Sequence, residues 1–434
     1  MARSSPSANL PDLASMLNQA CYCHTLDRDQ LIRLIGKGAR LQSLAHKLAE
    51  THPHLFSTTV VFISRPVYET LLHTVEALER TMALPAWERQ ALQGAPALAH
   101  GHHGPLGAFM GYDFHIAPQG PMLIEINTNA GGALLCAALA GAQTRCCRDM
   151  NVPIHEYRQT DVLEDDFYAM FQAEWRLQRR EQPLRTMAIV DDNPTAQYLS
   201  PEFDMLVELC AQRGLNALVV DAKDLRYREK TLFAPSPTGE QAIDLVYNRL
   251  TDFMLAEPQH AALAEAYAAG DVVLTPHPHA HALRANKRHL VTLSDPQSLA
   301  RLGVADADRA LLARTVPAAE LVTEANAQSL WQRRAEFFFK PLDGYGARAV
   351  YRGDKITRKV WDHVAQGGYL AQAIVPPALR AMELESGVTA LKFDVRAYTY
   401  QGKILLLSAR TYQGQATNFR TQGGGFAPVI VLSA

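Results

Sequence analysis

The stretch Met122-Leu-Ile-Glu-Ile-Asn-Thr-Asn-Ala-Gly-Gly132 constrains this chain more than any other. It reads as a strand that runs into a glycine turn and then a helix. Alternate residues of a strand point to opposite faces. Met122, Ile124 and Ile126 are therefore expected in a core, and Leu123, Glu125 and Asn127 on the other face. A carboxylate and an amide side by side are poor core material but good ligands for a hard cation such as Mg²⁺, which takes oxygen donors. Upstream, Gly111-Tyr-Asp-Phe-His-Ile116 also alternates, with Tyr112, Phe114 and Ile116 on one face and Asp113 and His115 on the other. The turn cluster Ala117-Pro-Gln-Gly-Pro121 joins the two strands into a hairpin. Pairing Ile116 with Met122 sets Asp113 opposite Glu125, and such cross-strand partners lie about 5 Å apart. Two carboxylates and an amide then converge, which requires a cation or a proton between the acids. The plain alternative is a hairpin with a polar outer face.

The 434 residues are 48% hydrophobic with a formal net charge of −2, which describes a soluble globular chain of two or three domains. Near-neutrality gives no electrostatic reason to expect nucleic acid or an anionic membrane. No apolar run approaches the roughly 18 residues of a membrane span, and the first residues lack the apolar block of a signal peptide. Cys21, Cys23, Cys136, Cys146, Cys147 and Cys210 show neither zinc spacing nor C-x-x-C. Reduced thiols and a cytoplasmic location are expected.

Four regions follow. Residues 1–100 are expected to be mostly helical, with a short strand at Thr59–Ser64 and no catalytic signature. Residues 101–150 carry the hairpin and a helix from Ala133 to Ala142. Gly131 and Gly132 free the backbone before that helix, whose first N–H groups can receive an anion, and Asn129 in the same turn is a candidate substrate contact. Residues 151–286 read as an α/β unit with strands at 186–190, 217–220, 243–249 and 272–274, alternating with helices and so forming a parallel sheet. Arg249 ends its strand where such sheets bind ligands; a structural pairing with Asp252 is the alternative. The histidines at 100–103 and at 277, 279 and 281 are expected in loops rather than metal sites.

Residues 287–434 hold a second group of signals. Glu336-Phe-Phe-Phe-Lys-Pro341 is a strand ending in a lysine, followed by Leu342-Asp-Gly-Tyr-Gly346, a turn that lets backbone amides approach phosphate. Tyr369 to Pro377 is a strand leaving into a proline-set turn. Phe393-Asp-Val-Arg-Ala-Tyr-Thr-Tyr400 alternates, with Asp394, Arg396 and Tyr398 on one face, and Gln401-Gly402 turns the chain into Ile404–Arg410. A two-residue loop alone would put Arg396 and Arg410 on opposite faces; a bulge or a longer loop would unite them.

Lys340 to Gly346, the Asp394–Arg396 strand, Ala409-Arg410, Asn418 and Gly423-Gly-Gly425 resemble the ATP-grasp ligases, in their glutathione synthetase branch. The Glu-x-Asn strand comes before the glycine turn here, an order similar to the circularly permuted eukaryotic glutathione synthetase. The likeness covers roughly residues 105–145 and 186–434, and Ala285-Asn-Lys287 matches a lysine-bearing segment. It implies an α/β, circularly permuted ATP-grasp fold with an α/β substrate domain resembling a pre-ATP-grasp domain. It implies ATP and Mg²⁺, with Asp113, Glu125 and Asn127 on the metal and Asp343 as a metal contact or a turn cap. It implies Lys287 and Lys340 on phosphates, Gly344 and Gly346 in the phosphate turn, Gln372, Ala373 and Ile374 as the adenine hinge, and Asn418 nearby. Arg396 and Arg410 would stabilise transferred negative charge, and Arg249 and Asn129 would meet substrate. The implied activity joins a small-molecule carboxylate, such as an amino acid or short peptide, to an amine through an acyl phosphate. Neither nucleic acid nor membrane is an expected partner, and a homodimer is compatible. A phosphotransferase and a non-catalytic ATP-binding scaffold are the alternatives.

Overall fold

Strand Met110–Ala117 lies inside a seven-stranded sheet, between Gly120–Asn127 and Gly387–Tyr400. The computed structural model describes residues 12–38, 41–144, 159–342 and 349–432. Beyond Gly387–Tyr400 the sheet continues through Lys403–Tyr412 and Gly425–Leu432 to Val61–Ser64, which pairs parallel to its neighbour. Ala378–Leu384 adds an antiparallel partner to Gly387–Tyr400 that the pattern did not reveal. The mostly helical N-terminal region is thus tied to the rest of the chain, because its short strand closes one edge of the sheet.

Each face of the sheet has a cover. Helix Arg65–Met82 packs Leu71, Val75 and Leu78 in one core with Tyr112, Phe114 and Val395. Helix Ala133–Gly141, buried all along Ala133 to Ala140, lies in a second core. A helix apolar all round belongs inside. Its start requires glycine: Gly132 has φ +97°, and a Cβ there would stand 2.3 Å from the Phe426 ring.

The α/β unit is parallel throughout, in the order Val273–Thr275, Leu245–Asn248, Thr186–Asp191, Asn216–Asp221. A three-stranded antiparallel sheet, Arg226–Arg228 with Thr231–Ser236 and Gly239–Ile243, interrupts it. A further four-stranded sheet, antiparallel throughout, contains Phe337–Pro341 and Tyr369–Ala373 and packs its own core around Phe339 and Trp361. The second histidine stretch is a helix rather than a loop. His277 caps Pro278–Arg284 by accepting from the Ala280 N–H, with Pro278 in the first turn. His277 and His279 are buried against the carbonyls of Pro105 and Ala99, and burial pushes the His277 imidazole down to about 3.

Two β-bulges decide which side chains share the central face. Ile116 pairs with Pro121 rather than Met122, and a register shift between Asp113 and Phe114 leaves Ile124 as the extra residue before Asp113 meets Glu125. A bulge sets two residues against one and shifts the alternation. Leu123 and Ile126 are therefore both buried in the core, whereas Met122 and Ile124 are only partly buried. This corrects the expected alternation of Met122, Ile124 and Ile126. The second bulge follows a two-residue turn with positive φ at Gln401 and Gly402. It places Asp394 opposite Arg410, so Arg396 and Arg410 share a face.

Glu174 joins these layers. Its fully buried carboxylate accepts from the Leu106 and Gly107 N–H groups at 3.0 and 2.9 Å, from Thr275 Oγ1 at 2.5 Å and from the Tyr400 hydroxyl at 2.9 Å. Glu174→Ala strands those donors, each of which costs about 1–3 kcal/mol when buried without a partner. The variant is expected to lose at least about 3 kcal/mol, read as a lower urea midpoint with the slope unchanged.

Candidate functional site

Strand register builds the centre of the site. Asp113 and Arg396 are direct cross-strand partners, as are Asp394 and Arg410. Asp113 accepts from Arg396 Nε and Nη2 at 2.6 and 2.7 Å and from Arg410 Nη2 at 2.9 Å. Asp394 accepts from Arg410 Nε at 2.7 Å and from Thr417 Oγ1 at 2.5 Å. Two cations and two anions are thus buried as a neutral set, which lets charge persist away from water. Burial alone would raise the Asp113 pKa, but Arg396 and Arg410 outweigh it and hold the carboxyl well below the usual carboxylate range. Among the described residues, the Nη1 group of each arginine takes no part in these bonds. Both side chains line a cavity of about 440 Å³, within the range of small-molecule sites.

The strand Gly120–Asn127 and the turn after it run along this cavity. The bulge turns the Ile124 carbonyl towards Lys340 Nζ at 3.1 Å and Gln372 Nε2 at 3.3 Å. Glu125 Oε1 pairs with Lys287 Nζ at 3.2 Å. Asn127 Nδ2 donates to Asp113 Oδ2 at 3.2 Å, and among the described residues its amide oxygen accepts no hydrogen bond. Thr128 Oγ1 meets His281 Nδ1 at 3.3 Å. Lys287, Lys340, Gln372, Ala373, Arg396 and Arg410 all line the same cavity.

Several expected assignments change. Asp113 stands opposite Glu125 in the register, and its oxygens accept from the two guanidinium groups and from the Asn127 amide. The donors that fit Mg²⁺ are the Glu125 carboxylate and the Asn127 amide oxygen, both hard ligands. Arg249 lines no part of the cavity: its Nη1 donates to the Asn129 carbonyl at 2.6 Å and to the Tyr247 hydroxyl at 3.2 Å. Asn129 returns the contact by donating to the carbonyls of Arg249 and Leu250 at 3.4 and 3.1 Å. These contacts fasten the α/β unit to the glycine turn. Asn418 spends its amide on its own loop, donating to the Gln413 and Ala416 carbonyls and accepting from Arg420 N and Thr421 Oγ1. Ile374 is absent from the cavity wall, and its N–H is bound to the Glu336 carbonyl at 2.8 Å, so this segment faces the cavity with Gln372, Ala373 and Val375. Asp343, Gly344, Gly346, Cys146 and Cys147 lie outside the described residues.

Four contributors were not foreseen. Asp394 and Thr417 complete the charge set; Asp394 was legible as a face-mate of Arg396, Thr417 was not. Phe253 and His281 stack with ring centroids 4.0 Å apart and planes 7° from parallel, and both line the cavity. The signal for His281 was the His277-Pro278 helix start, which places it one turn into a helix. Cys136, buried with its thiol pushed up to about 12 by burial, is no nucleophile.

The chain superposes on the apo structure of a glutathione synthetase-like effector from Globodera pallida with a TM-score of 0.57 at 11% identity, covering 93% of this chain and 98% of that one. The fold is that of the ATP-grasp proteins. Weaker likenesses are to a putative gamma-glutamylcysteine synthetase from Methylobacillus flagellatus KT, with a TM-score of 0.45 at 12% identity over 82% of this chain and 85% of that one, and to the ATP-grasp ligase PsnB complexed with minimal precursor, Mg and ADP, with a TM-score of 0.28 at 13% identity over 57% and 88%. No protein-family model and no curated protein sequence matches the chain. Among the described residues no helix is long and apolar enough to cross a membrane.

Asp113→Asn removes the shared anion and leaves two buried guanidinium groups with one carboxylate between them. Breaking a buried pair from one side costs about 3–5 kcal/mol, to be read as a fall in thermal midpoint. The sign with pH follows from the lowered Asp113 pKa. The wild-type contribution is complete above the ordinary aspartate value of about 3.9 and is lost as pH falls towards the lower folded value. The gap between the two proteins should therefore be constant near neutrality and narrow only in acid.

Proposed function

We propose that this protein is an ATP-dependent carboxylate–amine ligase of circularly permuted ATP-grasp type, which makes an amide or peptide bond through an acyl phosphate and releases ADP and phosphate. The observation that carries this reading is one cavity in which Lys340, Lys287, the Glu125–Asn127 oxygen donors and the Arg396–Arg410 pair follow one another along a strand and its neighbours. ATP needs point charges on its phosphates, which lysines supply. Glu125 and Asn127 would hold Mg²⁺, which neutralises phosphate charge and orients the nucleotide when bound. The Gln372–Ala373 edge would meet adenine. Arg396 and Arg410, held rigid by Asp113 and Asp394, would offer their remaining N–H groups to the transferred phosphoryl group and to the tetrahedral oxyanion that follows.

A carboxylate resists attack by an amine because its leaving group would be oxide. Phosphorylation supplies a good leaving group and divides one hard step into two, the logic of covalent catalysis. The described residues of the cavity include no serine or cysteine beside a base, so the acyl group would travel as the mixed anhydride. The strand order supports the permuted reading, since the Glu125–Asn127 strand precedes Lys340 in the chain yet lies two places from Gly387–Tyr400 in the sheet.

Incubation with Mg·ATP, hydroxylamine and pooled amino acids, short peptides and polyamines should yield a hydroxamate and one ADP for each. AMP with pyrophosphate would overturn the mechanism. A stable phosphorylated product with no amine requirement would mean a phosphotransferase, and ATP binding without ADP release a scaffold. Lys287→Met and Lys340→Met should each weaken ATP binding at least about tenfold by calorimetry, whereas Arg410→Ala should lower turnover about 100-fold with a smaller effect on affinity.

A further inference from the structure

The strand Gly120–Asn127 and its turn carry the cavity's chemistry in linear order. Ile124 meets Lys340 and Gln372 at the hinge side, Glu125 meets Lys287, Asn127 meets Asp113, and Thr128 meets His281. At about 3.3 Å per residue the span from Ile124 to Thr128 is about 13 Å. A nucleotide laid with its base at Gln372 and its γ-phosphate near the arginines would leave the far end, at His281, for the second substrate.

His281 is built for a role there. Its ring is fixed by Phe253, stacked at 4.0 Å, and by Thr128 on Nδ1. In the tautomer whose Nδ1–H donates to Thr128 Oγ1, Nε2 carries the lone pair, and among the described residues no hydrogen bond engages it. We propose that His281 receives the proton of the attacking amine in the second half of the reaction. This rests on the ligase reading. The amine lone pair forms the C–N bond at the acyl-phosphate carbonyl, and the nitrogen proton passes to Nε2. The carbon–oxygen bond to the phosphoryl group then breaks, and its electron pair leaves with phosphate. The imidazolium returns its proton to that phosphate or to water. Burial first, then Lys287 and His289, push the imidazole down to about 3 in the free protein, so it is uncharged when the amine arrives as the free base. Nucleotide phosphates beside Lys287 oppose that cation and strengthen the base.

The test separates the two half-reactions. His281→Gln keeps a polar side chain of similar size that cannot take a proton. Hydroxylamine, a strong nucleophile uncharged at pH 7.5, captures the acyl phosphate without a base. With the carboxylate pool that gives hydroxamate in the wild type, the variant should retain hydroxamate formation within threefold. Amide formation from a pool of glycine, alanine, cysteine, putrescine and spermidine should fall about 100-fold, as for loss of a general base. Thr128→Val, which keeps His281 but removes its orienting partner, should show the same selective loss at smaller size, and it serves if the first variant does not fold. Equal loss of both products, or no loss of amide, overturns the proposal alone. No hydroxamate from the wild type overturns the ligase reading and this proposal with it.

Discussion

One carboxylate, Asp113, sits between two guanidinium groups, and the candidate site depends on it. Two like charges about 4 Å apart repel by about 4 kcal/mol at an effective dielectric of 20. Arg396 and Arg410 could not share a buried sheet face without an anion between them. Asp113 supplies it with three short bonds, and Asp394 balances the remaining charge. Asp113–Arg396 and Asp394–Arg410 are cross-strand neighbours, and Arg410 reaches over the intervening strand to Asp113, so backbone register sets most of the geometry. Preorganised cations of this kind need little rearrangement when negative charge develops before them.

The residue types at the site were legible in the sequence, but their partners were less so. Asp113 does stand opposite Glu125, although the turn pairing that suggested it is off by one; the bulge at Ile124 restores the match. Met122-Leu-Ile-Glu-Ile126 contains apolar residues in both phases, so nothing in the pattern marks where the alternation slips. The guanidinium partners of Asp113 were hidden for a related reason. Its second neighbour strand, with Arg396, arrives from the far end of the chain. Arg249 and Asn418 were placed by position in a pattern, and tertiary contacts claimed both for backbone carbonyls. The parallel α/β unit was plain because its strands are continuous apolar runs. The strand Ala378–Leu384 was not, since it exposes Leu379 and buries Arg380.

The site draws on each part of the molecule. The central sheet supplies most of the charge set, the four-stranded sheet with Phe337–Pro341 supplies Lys340 and Gln372, and the α/β unit's loop and the helix after it supply Phe253 and His281. Arg249 and Asn129, though away from the cavity, hold the glycine turn that follows Asn127 and so keep the end of the strand in place.

The sheet order also bears on biosynthesis. Met110–Ala117 is made early, yet one of its two neighbours is Gly387–Tyr400, one of the last strands in the sequence. Until that strand leaves the ribosome, the hairpin has an open edge, and Tyr112 and Phe114 lack the Val395 side of their core. Open edges and uncovered aromatic faces favour association between nascent chains, and long-range pairing is slow to form. The arrangement that fixes the arginines thus commits the chain to a long exposed interval during translation, in which chaperone holding rather than intrinsic stability would govern the yield of folded protein.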